Sequence, residues 1–440
     1  MANKNWHRIP LKKMCSRIGD GLHGTPNYID NADVYFINGN NLKNGRIEIT
    51  KDTKTVSESE LKNNFIPLNE NTLLLSINGT LGSMAFFNNE KVMLGKSAAY
   101  LNFNSNINQF YYYYFQLKGV QDYFYDVATG STIKNLSLKS IQDFEVPVPE
   151  ESEWKGIVKT LKSIDAKIEL NNKINRELEA MAKTLYDYWF VQFDFPNADG
   201  KPYKSSGGKM LYNAELKREI PEGWENGTLG DISDLVRGVT YDASDIKEEN
   251  DYDVIPILRA TNISGNVIDL DNMVFVPKQN VSANQVLNKF DILITMSSGS
   301  KDHIGKNGFF YFDKEVAFGA FCAKIVAKDK YRFYVYSYTQ SDFMFSTIKN
   351  ECLGTNINNL NGSLVKGFKI VIPPDDLVEK FNDEVLSIYE MIGNNHKQNQ
   401  QLSELRDWLL PMLMNGQVTV KEAEERLSMA AEPCVEYKKG

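Results

Sequence analysis

The sequence predicts an α+β fold with an internal repeat: two β-rich globules and two long antiparallel coiled-coil helices, the halves related as a pseudo-twofold pair. Two observations lead there. A heptad-patterned stretch from about Glu153 to Gln192 returns 224 residues later, from about Asp376 to Asn415. Each stretch follows a segment of short apolar runs and turns, and that segment repeats as well. A fixed-period self-match decides architecture before any single motif does.

The helices come first. In the first, the inward stripe is Ile157, Leu161, Ile164, Ile168, Asn171, Asn175, Leu178, Ala182, Leu185 and Trp189. Adding 224 gives Phe381, Val385, Ile388, Ile392, Asn395, Asn399, Leu402, Arg406, Leu409 and Leu413. Only Ala182 against Arg406 breaks the apolar match. Alternating steps of four and three keep one seam facing a partner. About 40 residues at roughly 1.5 Å each make a rod of about 60 Å. Such a rod would expose its seam alone, so the two are expected to pair within the chain. Asn in a seam costs stability and selects register. An antiparallel pair brings Asn171 and Asn175 to Asn399 and Asn395.

The globules repeat with a small drift. Asn40-Asn41-Leu42 matches Thr261-Asn262-Ile263 at an offset of 221, and "LLSING" (74–79) matches "ITMSSG" (294–299) at 220. Gly95 matches Gly319, and the run 130–136 matches 354–360, both at 224. The drift implies short loop insertions. "VYFING", "NTLLLSINGT" and "GSMAFFNN" read as strands ending in Asn/Gly turns. The aromatic run at 107–126 has helical spacing and reads as one helix, with a counterpart starting near Tyr331. Its tyrosines are read as core rather than as a base-stacking platform.

The chain thus divides into a first globule (1–150), a central helical region (151–193), a connector (194–222), a second globule (223–374), a distal helical region (375–415) and a tail (416–440). The connector is rich in Pro, Gly, Ser and Lys and is expected to wrap over a surface. "VKEAEERLSMAAE" in the tail is a short helix candidate.

Bulk properties exclude several classes. With 42% hydrophobic and 12% aromatic residues, both globules can build cores. The net charge of −8 does not by itself suggest nucleic acid, but local patches rather than net charge attract phosphate. The cysteines (Cys15, Cys322, Cys352, Cys434) show no CxxC spacing, so neither a zinc site nor a disulfide framework is expected. No apolar leader region and no run of about 18 apolar residues is seen, so a cytoplasmic chain without membrane contact is expected. No GxxxxGK[ST], strand-linked GxGxxG, HExxH or GxSxG occurs. Ser297–Lys306 clusters Ser, Asp and His, but a triad unites distant residues, so this reads as a polar loop. No catalytic residue, no metal site and no cofactor of its own is expected.

These strings resemble the specificity (S) subunit of type I DNA restriction–modification enzymes over nearly the whole length. The run 146–190, "VPVPEESEWKGIVKTLKSIDAKIELNNKINRELEAMAKTLYDYWF", resembles that family's central helical region. "FDFPNADGKPYKSSGGKMLYNAELKREIPEGW" is similar to its connector. "IGDGLHGTPNY" with "YFINGNNL" resembles the first target-recognition domain, and "LRATNI" with "DILITMSSGS" the second. The resemblance implies that each recognition domain reads half of a bipartite, asymmetric site on double-stranded DNA. It implies that the helices set the spacer and hold two methyltransferase (M) subunits, with restriction (R) subunits added. S-adenosylmethionine and ATP with Mg are then expected in the partner subunits. The competing reading is a non-catalytic coiled-coil scaffold whose globules bind proteins or glycans.

Reading bases in the major groove takes Arg, Lys, Asn, Gln, Ser or Thr on loops. The candidates are polar tips that recur at equal places in both halves. In the first they are Asn38, Asn40, Asn41, Asn78, Lys96, Ser131, Thr132 and Lys134. In the second they are Arg237, Arg259, Thr261, Asn262, Ser297, Ser298, Lys301, His303, Lys306, Thr355 and Asn356. An ordinary turn or Asx cap accounts for any single one of them.

Overall fold

The computed structural model describes residues 6–353 and 359–431. Two compact units divide the chain, and neither is a continuous half. The first joins residues 1–168 to 401–433, and the second spans 169–400. Each therefore owns one globule, part of the first long helix (Glu151–Tyr186) and part of the second (Asp375–Asn415).

In the first unit a four-stranded antiparallel sheet has the order Cys15–Asp20, Ala98–Phe103, Thr72–Ser76, Met84–Phe86. A second sheet sets Val34–Ile37 antiparallel to Thr55–Val56 and parallel to Val92–Leu94. Strand Arg8–Pro10 pairs with the exit strand Glu145–Pro147. The strand Thr72–Ser76 is buried throughout, which its unbroken "TLLLS" run requires. Ile157, Leu161 and Ile164 of the first helix and Leu402, Leu409 and Leu413 of the second share one core with this globule. The tail helix Val420–Ala431 joins it through Ala423. Thr419 and Glu422 cap that helix reciprocally.

The second unit repeats the topology strand for strand. Its four-stranded sheet runs Ser233–Arg237, Cys322–Ala327, Ile292–Thr295, Asn307–Phe309. Val254–Leu258 lies antiparallel to Val274–Pro277 and parallel to Ala317–Phe318. Glu225–Thr228 pairs with the exit strand Lys369–Ile372. Phe381, Val385 and Ile392 of the second helix meet Ala182 and Trp189 of the first in one core. The helix segments are antiparallel: Asn171 bonds Asn399, and four residues on Asn175 bonds Asn395, four residues back.

Two expectations change in detail, for the aromatic run and for the end of the first long helix. The aromatic run is not one helix but two, Asn108–Tyr114 and Lys118–Val127, and its counterpart splits into Arg332–Thr339 and Asp342–Leu353. In the second unit the Ser341 hydroxyl accepts from the Met344 N–H and starts a new helix. The tyrosines are core: Tyr111 donates to the Pro147 carbonyl (2.8 Å) and Tyr334 to the Val371 carbonyl (2.5 Å), tying helix to exit strand. The first long helix leaves α geometry at Tyr186 and closes in a π turn over Asp187–Val191. Past it, the connector folds back. Asp194 accepts from both the N–H and the hydroxyl of Ser205, and Met210–Asn213 pairs with Arg218–Pro221.

Candidate nucleic-acid interface

In the first unit, strand ends and turns bring five segments together. Leu22 donates to the Leu94 carbonyl and Lys96 to that of Leu22, joining the loop after the first strand to the 95–97 turn. The Ser97 hydroxyl accepts from the Gly39 N–H (2.9 Å) and donates to Asn38 Oδ1 (2.9 Å). Gly39 and Gly95 permit this approach. A Cβ on the first would sit 2.1 Å from Ser76 Oγ, and on the second 2.2 Å from Asn38 Oδ1. Asn78 pairs with Asn135, and Leu136 donates to the Ile77 carbonyl, which seats the 129–136 loop on the 77–80 turn. Asn38, Asn78, Lys96 and the loop bearing Ser131, Thr132 and Lys134 thus converge.

The side chains are not equally available. Asn40, Lys96, Ser131 and Thr132 are exposed, and Asn38, Asn41, Asn78 and Lys134 are intermediate. Lys134 stands 4.9 Å over the Tyr125 ring. Asn41 is held locally: its Oδ1 accepts from the Asn38 N–H (2.9 Å) and its Nδ2 donates to the Glu48 carbonyl (3.0 Å).

The second unit builds the same convergence with other side chains. Val239 donates to the Phe318 carbonyl and Ala320 to that of Val239. Met296 (2.8 Å) and Ser297 (3.1 Å) both donate to the Phe321 carbonyl. Ser297 pairs with Asn359, and Leu360 donates to the Met296 carbonyl. A groove results, lined by Arg237, Thr240, Ser297, Phe321, Asn359 and Asn361 among others. Arg237, Thr261 and Lys301 are exposed, while Arg259, Ser297, Ser298, His303 and Lys306 are intermediate. Asn262 is buried and repeats the role of Asn41. It accepts from the Arg259 N–H (2.9 Å) and donates to the Asp269 and Asp271 carbonyls. Arg259 reaches the Asn272 carbonyl (2.8 Å). Thr355 and Asn356 lie outside the described residues.

The offset drift has a location. The turn from the inner strand Thr72–Ser76 to the edge strand Met84–Phe86 spans 77–83 in the first unit, and its counterpart from Ile292–Thr295 to Asn307–Phe309 spans 296–306 in the second. The extra residues carry Lys301, Asp302 and His303 in a 3-10 turn, so the second globule presents charged side chains at a tip where the first has none. Sequence reading missed Ser97 and Phe321, which occupy matched positions at the 224 offset and differ in chemistry. It also missed Asn359 and Asn361. A signal was available for Ser97, two residues after the repeated Gly95, and for Asn359 and Asn361, which lie in and next to the repeated run ending at Leu360.

Among the described residues no group of three His, Cys, Asp or Glu is placed to hold a metal. Burial pushes the Cys322 thiol up to about 12 and raises that of Cys15 further, so neither is a thiolate near neutrality. Among the described residues no helix is long and apolar enough to cross a membrane.

Comparison with known proteins gives a consistent picture. The family model for the type I restriction modification DNA specificity domain matches twice, at residues 3–180 and 221–404. The MjaIX specificity subunit of Methanocaldococcus jannaschii is 27% identical over 394 residues, 89% of this chain and 88% of that one. The EcoKI specificity subunit of Escherichia coli K12 is 32% identical over 209 residues, 46% of this chain and 45% of that one. The S subunit of a type I restriction–modification system from M. genitalium superposes with a TM-score of 0.53 at 18% identity. That match covers 94% of this chain and 97% of that one, and it speaks for the fold.

Proposed function

The chain belongs to the type I restriction modification DNA specificity family, and from that premise we propose how its role in DNA sequence recognition is divided. Each globule reads one half of a bipartite site on double-stranded DNA. The helices set the spacer and dock two methyltransferase subunits, with restriction subunits added to the same assembly. The chain makes and breaks no bonds itself. S-adenosylmethionine, and ATP with Mg, belong to the partners.

One observation carries this reading. The two units build the same loop convergence on the same strand order, yet place different side chains at matched points. Asn38 answers Arg259, Asn40 answers Thr261 and Ser97 answers Phe321. Conserved scaffolding with divergent tips is what two readers of different half-sites require, since base edges are told apart by donor and acceptor patterns. The readers differ, so the site is asymmetric. The shared Asn41 and Asn262 keep the turn in shape, while the exposed tips supply base and phosphate contacts.

Mapping methylated bases in DNA modified by the assembled complex tests this. A bipartite, non-palindromic motif is expected. The chain purified alone, given S-adenosylmethionine and ATP with Mg, is expected to leave DNA unmodified and uncut. A palindromic motif, or turnover by the isolated chain, overturns the proposal.

A further inference from the structure

We infer that Phe321 is a base-reading residue of the second globule, contacting the 5-methyl group of one thymine in the half-site that globule recognises. This rests on the proposed division of labour and adds a residue and a base to it.

Phe321 is 66% exposed. Leaving most of a phenyl ring in water forgoes the stabilisation that its burial would bring. The backbone that carries the ring is pinned. Its own carbonyl accepts from Met296 and Ser297 together, and Gly319 just before it donates to the Leu258 carbonyl. The ring lines the groove whose other walls include Arg237, Thr240, Ser297, Asn359 and Asn361. It is therefore an exposed apolar group on an anchored backbone, set among hydrogen-bonding groups.

The matched residue of the first unit sharpens the point. Ser97 holds the same position, but it turns inward to Asn38 and Gly39. A position that serves the scaffold in one globule is released to the surface in the other. In that globule Asn38 is replaced by Arg259, which bonds Asn272 instead. The Phe321 carbonyl serves the scaffold, but its side chain has no role there of the kind Ser97 has.

The chemistry of the major groove names the partner. Every base edge there offers hydrogen-bond donors or acceptors, and the one apolar feature is the thymine methyl. An exposed phenyl between polar readers fits that feature. It also favours thymine over cytosine, which lacks the methyl.

The test uses the complex with its methyltransferase subunits. Methylation mapping gives the bipartite motif, and exchange of residues 223–374 with a relative identifies the half belonging to the second globule. Duplex probes then replace each thymine of that half, one at a time, by deoxyuridine, which lacks only the methyl. Wild-type complex is expected to bind one such probe roughly three- to five-fold more weakly, as the loss of one buried methyl implies. Phe321→Ala is expected to bind that probe and its thymine parent equally, and to relax methylation at that one position. Phe65→Ala, at an exposed ring of the first globule (68%), is the control and keeps wild-type sensitivity.

Indifference of the wild type to deoxyuridine at every thymine of that half overturns the inference, as does retained sensitivity in Phe321→Ala. A 2-aminopurine beside the position that brightens with wild type but not with Phe321→Ala, without deoxyuridine sensitivity, makes the ring a wedge and also overturns it. Loss of complex assembly in Phe321→Ala points to protein docking and overturns it too. If the exchange of 223–374 fails to change one half-site, the broader reading has failed instead.

Discussion

Asn395 donates from its side-chain amide to Asn175 Oδ1 at 2.7 Å, from the second long helix to the first. Next to it Asn171 donates to Asn399 Oδ1, and Asn399 donates to Asn172 Oδ1, both at 2.8 Å. The seam of this antiparallel segment is thus interrupted by an amide ladder, and Asn175 Nδ2 is buried in it without a partner. A ladder of this kind fixes register, because a shifted pairing would bury amides against leucine.

Cysteines placed at Asn175 and Asn395 together are expected to form a disulfide within one chain, read by mass spectrometry of a non-reduced digest. Crosslinks only between chains would reject the pairing. Asn395→Leu alone is expected to cost about 1–3 kcal/mol in urea unfolding, since it strands the buried Asn175 amide. The double change to leucine is expected to recover most of that loss and to weaken register selection.

A second layer explains the one break in the repeat. In the first unit Arg406 bonds Asp165 (3.0 Å), and Asp165 accepts from the Tyr113 hydroxyl (2.6 Å). Shifted by 224, these three positions become Ala182, Tyr389 and Ser337. In the second unit the Tyr389 hydroxyl lies 3.4 Å from Ser337 Oγ, and Ala182 joins the same core. The bulky ring has moved from the globule to the helix, and the charge pair has gone with it. Arg406→Ala is expected to destabilise the first unit by roughly 1–3 kcal/mol. Asp165→Asn should remove most of that penalty in a double-mutant cycle. Additive costs would mean that the pair does not act as one layer.

This layer marks the reach of sequence reading. The heptad stripe and the 224 offset were legible because period and identity survive in the chain, as with Ile157 against Phe381 and Asn171 against Asn395. The exception at Ala182 was visible but not interpretable, because its compensation lies at Tyr389 and Ser337, which are remote in sequence. The candidate site was legible as a set of recurring tips. Within the set, Asn41 and Asn262 carry scaffold hydrogen bonds that polarity alone does not reveal. Phe321 was invisible because an apolar residue after a glycine reads as core until its exposure is known.

Acid should weaken the second unit through His396. Its ring stacks on Tyr311 with centroids 5.5 Å apart, and desolvation pushes its pKa from 6.5 down to about 4. Between those values the unfolded imidazole binds a proton and the folded one does not. Stability present above pH 6.5 is therefore lost as pH falls toward 4, by roughly 2 kcal/mol at pH 5. Glu179 in the same unit works the other way, since burial raises its pKa and the folded state takes up its proton first. Lys397, next to His396 in the chain, pairs with Asp313. His396→Gln is expected to flatten the fall of the urea midpoint between pH 6.5 and 5. An unchanged slope would assign the acid response elsewhere.

Reader and spacer should separate experimentally. The second globule enters on Glu225–Thr228 and leaves on Lys369–Ile372, and these two strands pair with each other. Entry and exit are thus clamped side by side, so the segment between them can be replaced without moving its ends. Exchanging residues 223–374 for the equivalent segment of a relative is expected to change one half of the methylated motif. The other half and the gap should stay as they were. Lengthening the first long helix and its partner by about four residues each adds roughly 6 Å of rod. That change is expected to alter the gap and leave both half-sites intact, because base contacts are local to each reader. Methylation mapping reads both outcomes. An exchange that altered both halves, or a lengthened pair that changed base preference at constant gap, would show that recognition and spacing are not separate functions of this chain.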